Sequence, residues 1–370
     1  MDIRKPNFYL QWHITNNCSQ RCAGCYLFQG ETKNLLAPEL NREELADIAR
    51  DVISTARILT SNPIFVLTGG DPMLHKDFWW LLEKINLLLK DSGLQGRIDL
   101  LGNPFLINST TVSRLVSYGV RKFQLSLDGL ETTHDTLRMP GSFQETLRAL
   151  NELKKAEIKT TCMFTLSKLN AKDLIPVMQL AAEKGFDALA FARFCRPANL
   201  SISDYRKQMF DPLEYRDLLI NVDKMHKELS YSHPKIKFVL KDHLWELFFY
   251  EREDDKYKNE INTLNQRKIV AGGCSLGISS LCALADGSVY ACRRFPSIIG
   301  KAPKQKLIDL FIKSKTLNNL RDLTRYKKCA SCPLLYNCRG CGAVAYGFSG
   351  SFFDPDPQCW YGLTKNEMTK

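Results

Sequence analysis

Short apolar runs alternate with amphipathic stretches over the first 200 residues of the chain. The apolar runs are rich in β-branched and aromatic residues, and we predict strands at 8–15, 63–68, 97–102, 122–127, 160–166 and 188–194. Apolar positions at helical spacing lie between them, near 40–60, 75–92 and 142–157. Repeated strand–helix units form a parallel sheet with helices outside. We therefore predict an α/β fold, a partial (β/α)6 barrel similar to a TIM barrel, with functional residues at the carboxyl ends of its strands.

The pattern changes after residue 200. Residues 201–269 are highly charged and have helical periodicity, so we expect them to bridge two domains. The segment 270–370 is rich in cysteine, glycine and short turns. The sequence thus predicts a barrel at 1–200, a helical bridge at 201–269 and a cysteine-rich domain at 270–370.

The composition is that of a globular protein, with 44% hydrophobic and 25% charged residues. The N-terminus lacks a signal peptide, and no apolar stretch approaches the ~20 residues that span a bilayer. We therefore expect a cytoplasmic protein without membrane contact. The formal net charge is +11, but the basic residues are spread along the chain. That distribution favours a solvated surface or an acidic peptide partner, and it disfavours nucleic acid.

Cysteine is the residue that indicates chemistry. Three of the thirteen cysteines lie within 18–25 and eight within 274–359, leaving only Cys162 and Cys195 between them. Disulfides are rare in the reducing cytoplasm. Clustering at short spacing therefore indicates metal binding.

The first cluster, Cys18, Cys22 and Cys25, has the spacing C-x3-C-x2-C directly after the first predicted strand. Three thiolates can hold three irons of a 4Fe-4S cluster and leave the fourth open, although a zinc site is the alternative. This motif resembles that of the radical S-adenosylmethionine (SAM) superfamily. The resemblance implies that the open iron binds the amino and carboxylate groups of SAM. An electron from the cluster would then yield a 5′-deoxyadenosyl radical that abstracts hydrogen from the substrate. Gly24 stands where the family usually has an aromatic residue, and Tyr26 could compensate.

Two further segments resemble SAM-binding motifs of the same family. The sequence TGGDP at 68–72 resembles the Gly-Gly-Glu motif that binds the SAM amino group, and QLSLDGLETTHDTLRMPGSF resembles the fourth-strand segment of peptide and protein maturases. By this resemblance, Ser126 contacts the ribose and Arg138 the carboxylate. The candidate cofactor-binding residues are Tyr26, Gly69, Gly70, Asp71, Ser126, Asp128 and Arg138. Asp128 could bind ribose or substrate, or could simply form a turn before Gly129.

The second group of cysteines comprises Cys274, Cys282, Cys292, Cys329, Cys332, Cys338, Cys341 and Cys359. Their spacing resembles the SPASM domain, except that the final pair is separated by two residues instead of three. The resemblance implies two auxiliary 4Fe-4S clusters, the first bound by Cys274, Cys282, Cys292 and Cys341, the second by Cys329, Cys332, Cys338 and Cys359. Full ligation leaves no open iron, which favours electron transfer or structural support. Two zinc ions are the alternative, because two C-x2-C pairs also suit a zinc ribbon.

SPASM-containing relatives mostly modify peptides or proteins, and a minority act on haem precursors or small molecules. We therefore predict an anaerobic oxidoreductase that crosslinks side chains of a ribosomally made peptide through a thioether or carbon–carbon bond. Peptide epimerisation and sulfatase-type oxidation are alternatives, the latter disfavoured because Arg293, not Asp, follows Cys292. Cys195, at the end of the sixth predicted strand, could donate hydrogen to a substrate radical or be a small core residue. A zinc-stabilised, non-catalytic peptide-binding scaffold is the alternative outside enzymes.

The resemblance also implies partners. We expect a precursor peptide and a flavodoxin or ferredoxin-type electron donor. The cysteine motif begins at residue 18, so we expect leader-peptide binding by the bridge helices, by the cysteine-rich domain or by a separate leader-binding protein.

Overall fold

The computed structural model describes residues 5–25, 27, 37–252 and 255–363. Tyr26 lies outside the described residues. None of the helices found in these ranges is long and apolar enough to cross a membrane.

The six strands predicted from the sequence are present. They are β1 (Asn7–Thr15), β2 (Asn62–Gly69), β3 (Arg97–Leu101), β4 (Val120–Ser126), β5 (Lys159–Leu166) and β6 (Ala188–Arg193). Four further strands follow them, β7 (Lys237–Val239), β8 (Ser280–Ala283), β9 (Ser288–Tyr290) and β10 (Ile298–Lys301).

Helices separate the strands of the first 200 residues and make up most of the segment that follows. The helices up to β6 are α1 (Arg42–Ile58), α2 (Phe78–Ser92), α3 (Ser109–Ser117), α4 (Glu131–Leu137), α5 (Ser142–Lys155) and α6 (Leu174–Lys184). The later ones are α7 (Ile202–Gln208), α8 (Pro212–Ser232), α9 (Trp245–Arg252), α10 (Asp255–Arg267), α11 (Leu307–Lys313), α12 (Lys315–Arg321), α13 (Lys327–Ala330) and α14 (Gly342–Ser349).

The chain forms two compact units. The first comprises the described residues of Met1–Leu127, Glu131–Cys162 and Leu276–Arg321, and the second those of Asp128–Leu130, Met163–Ser275 and Asp322–Lys370. The division into a barrel at 1–200, a helical bridge at 201–269 and a cysteine-rich domain at 270–370 was based on sequence composition and periodicity, and it stays a prediction.

The first unit contains most of the sheet, in the order β10-β9-β8-β1-β2-β3-β4 followed by the first half of β5. β2 pairs in parallel with β1 and β3, and β3 pairs in parallel with β4. The β1 side chains of one face, Phe8, Leu10, Trp12 and Ile14, are at most 1% exposed. The predicted α/β class with consecutive parallel strands is therefore confirmed.

The segment 276–321 completes the first unit from the C-terminal part of the chain. β8 pairs in parallel with β1, with Tyr9 opposite Ser280 and Trp12 opposite Ala283, and β9 is antiparallel to β8 and β10. At the start of α11, the backbone N of Leu307 donates to Oδ2 of Asp51 in α1 at 2.7 Å. Strand pairing and this helix contact together fix the segment on the first unit.

The second unit contains the remainder of β5 together with β6 and β7, which are parallel to each other. All six residues of β6 are buried. The helix α8 starts with a capping box. The backbone N of Glu214 donates to the Asp211 side chain, and the backbone N of Asp211 donates to the Glu214 side chain. Such reciprocal bonds satisfy backbone donors that a helix start leaves free.

Candidate iron-sulfur and SAM site

The loop that follows β1 carries Cys18, Cys22 and Cys25, all partly buried. A turn closes the second half of the loop, since the backbone N of Cys25 donates to the carbonyl of Cys22 at 3.2 Å. The backbone N of Ala23 also donates to the carbonyl of Leu137, at the end of α4, at 2.8 Å. The three thiols are thus presented at the carboxyl end of β1, as predicted.

Nitrogen donors lie close to two of these sulfur atoms. Nδ2 of Asn103 donates to Sγ of Cys18 at 3.2 Å, and the backbone N of Gln20 donates to the same sulfur at 3.4 Å. Nη1 of Arg138 lies 3.8 Å from Sγ of Cys22. Donors and a positive charge stabilise thiolates. The donor set therefore fits a thiolate-bound, negatively charged cluster.

A close approach of backbones joins the end of β2 to this loop. The backbone N of Gly70 donates to the carbonyl of Thr15 at 2.8 Å, and that of Asp71 donates to the carbonyl of Asn17 at 2.7 Å. A Cβ on Gly69 would lie 2.3 Å from the Thr15 oxygen, and one on Gly70 would lie 2.1 Å from the Asn17 oxygen. Only glycine allows this contact, so the Gly-Gly-Asp turn and the cysteine loop are neighbours.

Asp71 is fully buried at this junction. Its Oδ1 accepts from the backbone N of Met73 at 3.2 Å, whereas Oδ2 has no hydrogen-bond partner in the described part of the chain. Burial raises the pKa of Asp71 to about 6, and the Met73 hydrogen bond opposes this effect. A buried carboxyl with an unpartnered oxygen suits an ammonium group, which is the group that the resemblance assigns to this turn.

The other residues predicted on the fourth-strand segment differ in their surroundings. Ser126 is the last residue of β4. The Asp128 side chain accepts from the backbone N of Thr165 at 2.7 Å, and the Asp128 carbonyl accepts from Nδ2 of Asn170 at 2.8 Å. These bonds support the interpretation of Asp128 as a turn residue that holds β5. Its predicted contact with ribose or substrate stays a prediction.

The C-terminal cysteines fall in both units. Cys282 and Cys292 belong to the first unit, and the other six belong to the second, namely Cys274, Cys329, Cys332, Cys338, Cys341 and Cys359. Burial raises the pKa of the Cys282 thiol to about 12, with Arg293 opposing and Cys292 adding to the shift. Cys282 and Cys292 therefore lie within electrostatic reach of each other.

Four thiols of the second unit also influence one another. Burial raises the pKa of Cys329 to about 12, and the neighbouring Cys359 and Cys332 add to this shift. Burial likewise raises the pKa of Cys338, with Cys359 and Cys329 adding to it. These are the four residues predicted to bind the second auxiliary cluster. Because thiols bind metal as thiolates, ligation must supply the free energy that deprotonates these buried groups.

In the described ranges, no three His, Cys, Asp or Glu side chains lie close enough together to hold a single metal ion. A cubane is a different case, because each of its cysteines binds a different iron atom. The assignment of the eleven cysteines to three clusters stays a prediction.

The two cysteines between the clusters lie in the core. Cys162 in β5 is fully buried, and Cys195 is 6% exposed with its Sγ 3.8 Å from the carbonyl of Arg193. This burial supports the interpretation of Cys195 as a small core residue. The hydrogen-donor role stays a prediction.

Sequence reasoning missed an ion cluster at the end of β6. The Arg193 guanidinium donates to Asp242 at 2.7 Å, to Asp356 at 2.7 and 2.8 Å, and to Gln358 at 2.9 Å. Asp356 also accepts from the backbone N of Cys341 at 2.9 Å. One signal was available, since Arg193 is a lone charge in an otherwise apolar strand. The contact of Asn103 with Cys18 was also missed, and the available signal was only the polar turn Gly102-Asn103-Pro104 at the end of the third predicted strand.

Comparison with known proteins identifies a domain of this chain. Residues 12–181 match the model of the Radical SAM superfamily. The AdoMet-dependent heme synthase of Methanosarcina barkeri is 27% identical over 359 residues, which cover 95% of this chain and 96% of that protein. The mycofactocin maturase MftC of Mycolicibacterium smegmatis is 24% identical over 372 residues, covering 95% and 82%. The solved structure of native anSMEcpe with bound AdoMet and Cp18Cys peptide has the same fold, with a TM-score of 0.71, 18% identity and coverage of 97% of this chain and 94% of that one. The chain described here is therefore an enzyme with a radical SAM domain.

Proposed function

We propose that this enzyme holds a 4Fe-4S cluster on Cys18, Cys22 and Cys25 and uses it with SAM to modify a ribosomally made peptide, most specifically by crosslinking its side chains. The observation that carries the first part is the set of nitrogen donors around the thiols of the β1 loop. When bound, the cluster and SAM supply a 5′-deoxyadenosyl radical that takes a hydrogen atom from the substrate.

The residues of the chain have distinct tasks in this proposal. Asn103 and the backbone N of Gln20 hold the Cys18 sulfur. Asp71 offers its unpartnered oxygen to the SAM ammonium group, and Arg138 offers its guanidinium to the SAM carboxylate. The close backbones at the ends of β1 and β2 hold Asp71 in a fixed position relative to the cysteine loop, which lowers the entropy cost of binding SAM productively.

The eight C-terminal cysteines are proposed to form a SPASM domain with two auxiliary 4Fe-4S clusters. The mutual electrostatic influence of Cys329, Cys338 and Cys359 supports one of these sets. A crosslink removes two hydrogen atoms from the peptide. One leaves as hydrogen on deoxyadenosine, and the other leaves as a proton and an electron. When bound, the auxiliary clusters would supply an acceptor for that electron.

A peptide substrate is supported by two similarities that span nearly the whole chain, one to the maturase MftC and one to a structure with a bound peptide. A haem precursor is the second candidate, favoured by the 27% identity to a heme synthase over 95% of the chain. The two candidates share the radical chemistry and differ only in what occupies the substrate site.

Anaerobic reconstitution tests the radical chemistry. We expect about twelve irons per chain, and deoxyadenosine after addition of dithionite and SAM. Cys18→Ala should abolish deoxyadenosine formation and remove about four irons. Cys162→Ala, in the core, is the matched control and should keep both. Zinc in place of iron, or no SAM cleavage by the wild-type chain, would contradict the proposal and favour a peptide-binding scaffold.

The substrate is tested separately, by mass spectrometry. Peptides encoded beside the gene and a haem-precursor porphyrin are each incubated with the reconstituted enzyme. A loss of two hydrogen atoms from a peptide supports crosslinking. Epimerisation would leave the peptide mass unchanged in H2O and would raise it by one incorporated deuterium when the reaction is run in D2O. Turnover of the porphyrin alone would replace the peptide proposal with the haem one.

A further inference from the structure

We propose that Asn103 is a positioning residue that donates a hydrogen bond to the Cys18 thiolate and thereby raises the reduction potential of the cluster on the β1 loop. This inference rests on the proposed function, because it requires that cluster to be present. It concerns how readily the cluster accepts the electron that SAM cleavage consumes.

The position of Asn103 is fixed by its surroundings. It lies two residues beyond the end of β3 and is 8% exposed. The preceding Gly102 packs closely against neighbouring groups, since a Cβ there would lie 3.1 Å from the Phe123 ring and 3.4 Å from Oδ1 of Asp71. The amide of Asn103 thus follows a closely packed glycine and donates to Sγ of Cys18 at 3.2 Å.

Hydrogen bonds to cysteine sulfur are one of the means by which proteins set the potential of iron–sulfur clusters. Reduction adds a negative charge to the cluster, and a donor stabilises the more negative state more strongly. Removal of the donor should therefore make the cluster harder to reduce and its reduction potential more negative.

Asn103 is the donor that mutation can isolate. The other donor to the Cys18 sulfur is the backbone N of Gln20, which a side-chain change does not remove. Arg138, near Cys22, is also proposed to bind SAM, so its substitution would alter two functions at once. Asn103 contacts the sulfur through its side chain and has no proposed contact with SAM.

The experiment is a redox titration of the reconstituted full-length enzyme, monitored by electron paramagnetic resonance. The signal that changes on addition of SAM identifies the cluster of the β1 loop among the others. Wild type is compared with Asn103→Ala, with the isosteric Asn103→Asp, and with Asn108→Ala. Asn108 is a matched control, because its side chain caps α3 by accepting from the backbone N of Thr111.

Asn103→Ala should keep the iron content of the wild type and show a more negative midpoint potential. We expect an about tenfold lower ratio of reduced to oxidised cluster at a fixed potential, which corresponds to 59 mV for a one-electron couple. Asn103→Asp should shift further in the same direction, because it replaces the donor with a negative charge. Asn108→Ala should keep the wild-type potential.

The contrary outcomes are distinct. An unchanged midpoint in either Asn103 variant overturns the inference while leaving the proposed function intact. Loss of iron from both Asn103 variants, with Asn108→Ala intact, also overturns it and assigns Asn103 a purely structural role. If the wild type shows no SAM-responsive cluster, the proposed function itself fails.

Discussion

Arg193 is a cation enclosed by the second unit. The Arg193 side chain is 2% exposed, and the side chains of its ion-pair partners Asp242 and Asp356 are 4% and 1% exposed. Its guanidinium also lies 4.9 Å from the ring centroid of Tyr215. Burial would raise the pKa of Asp356, but the charge and hydrogen bonds of Arg193 hold it below its usual value. One cation thus keeps the buried Asp356 carboxylate ionised and also forms an ion pair with Asp242.

Replacing this cation is expected to be costly. Arg193→Met would leave two buried carboxylates without a counter-charge, and breaking a buried pair in this way costs about 3–5 kcal/mol. Arg216→Met is the control, because Arg216 pairs with Glu251 where both side chains are about a third exposed, at 28% and 32%, and such pairs contribute about 0–1 kcal/mol. The free energy of unfolding from anaerobic urea titrations measures both. Equal losses in the two variants would show that burial of the Arg193 cluster has no energetic consequence.

At the residue scale, the sequence is most informative where the chemistry is local. Cys18, Cys22 and Cys25 lie on one loop, so their spacing predicts a metal site, and the resemblance predicts that it is an open-iron cluster. Two side chains that approach these cysteines are distant in sequence, since Asn103 is 85 positions from Cys18 and Arg138 is 116 positions from Cys22. Side chains that meet only through the fold leave no pattern in the sequence.

The ends of β1 and β2 are the elements on which the site depends. The register pairs His13 with Thr68 and then shifts, so that Thr15 lies opposite Gly69. Immediately beyond this irregularity, the backbone N atoms of Gly70 and Asp71 donate to the carbonyls of Thr15 and Asn17, where β1 ends and the cysteine loop begins. Two strand ends therefore place one side of the candidate SAM site.

A methyl group at this junction should disrupt it. In Gly70→Ala, the new Cβ would lie 2.1 Å from the carbonyl oxygen of Asn17. We expect a loss of about 1–3 kcal/mol from overpacking, together with reduced iron content and weaker SAM binding. Gly141→Ala is the control. Its φ of +79° makes alanine unfavourable, but its Cβ would meet nothing within 4 Å, so it should cost stability without losing iron. Thermal unfolding, iron analysis and equilibrium binding of SAM measure these effects, and iron content and SAM affinity retained equally by both variants would contradict the prediction.

At the scale of elements, strong periodicity predicted the strands β1 to β6 within a few residues. β7 was missed because it has only three residues in a segment whose charges resemble those of the surrounding helices. The pairing of β8 with β1 was also missed. Parallel strands need no adjacent turn, and about 270 positions separate Tyr9 from its partner Ser280, so local patterns could not reveal it.

For the whole molecule, the sequence and the structure suggest different divisions of the chain. Sequence character separates a cysteine-rich domain at 270–370 from a barrel at 1–200. In the structure, Leu276–Arg321 packs with the first unit, and the described residues of Asp322–Lys370 pack with the second. We expect the residues of one compact unit to unfold together, because cooperative unfolding arises from packing and not from proximity in sequence.

Hydrogen exchange under native conditions distinguishes these divisions. We expect the backbone amide of Leu281 in β8 to exchange with the same opening free energy, and the same denaturant dependence, as that of Leu10 in β1, since paired strands of one unit open together. The amide of Cys338 in the second unit should follow a different denaturant dependence. The cysteine-rich domain at 270–370 would instead be the cooperative unit if the amides of Leu281 and Cys338 opened together and Leu10 opened apart from them. In that case, the β8–β1 pairing would be a contact between separately folding domains, and loss of the auxiliary clusters should destabilise β8 without affecting β1.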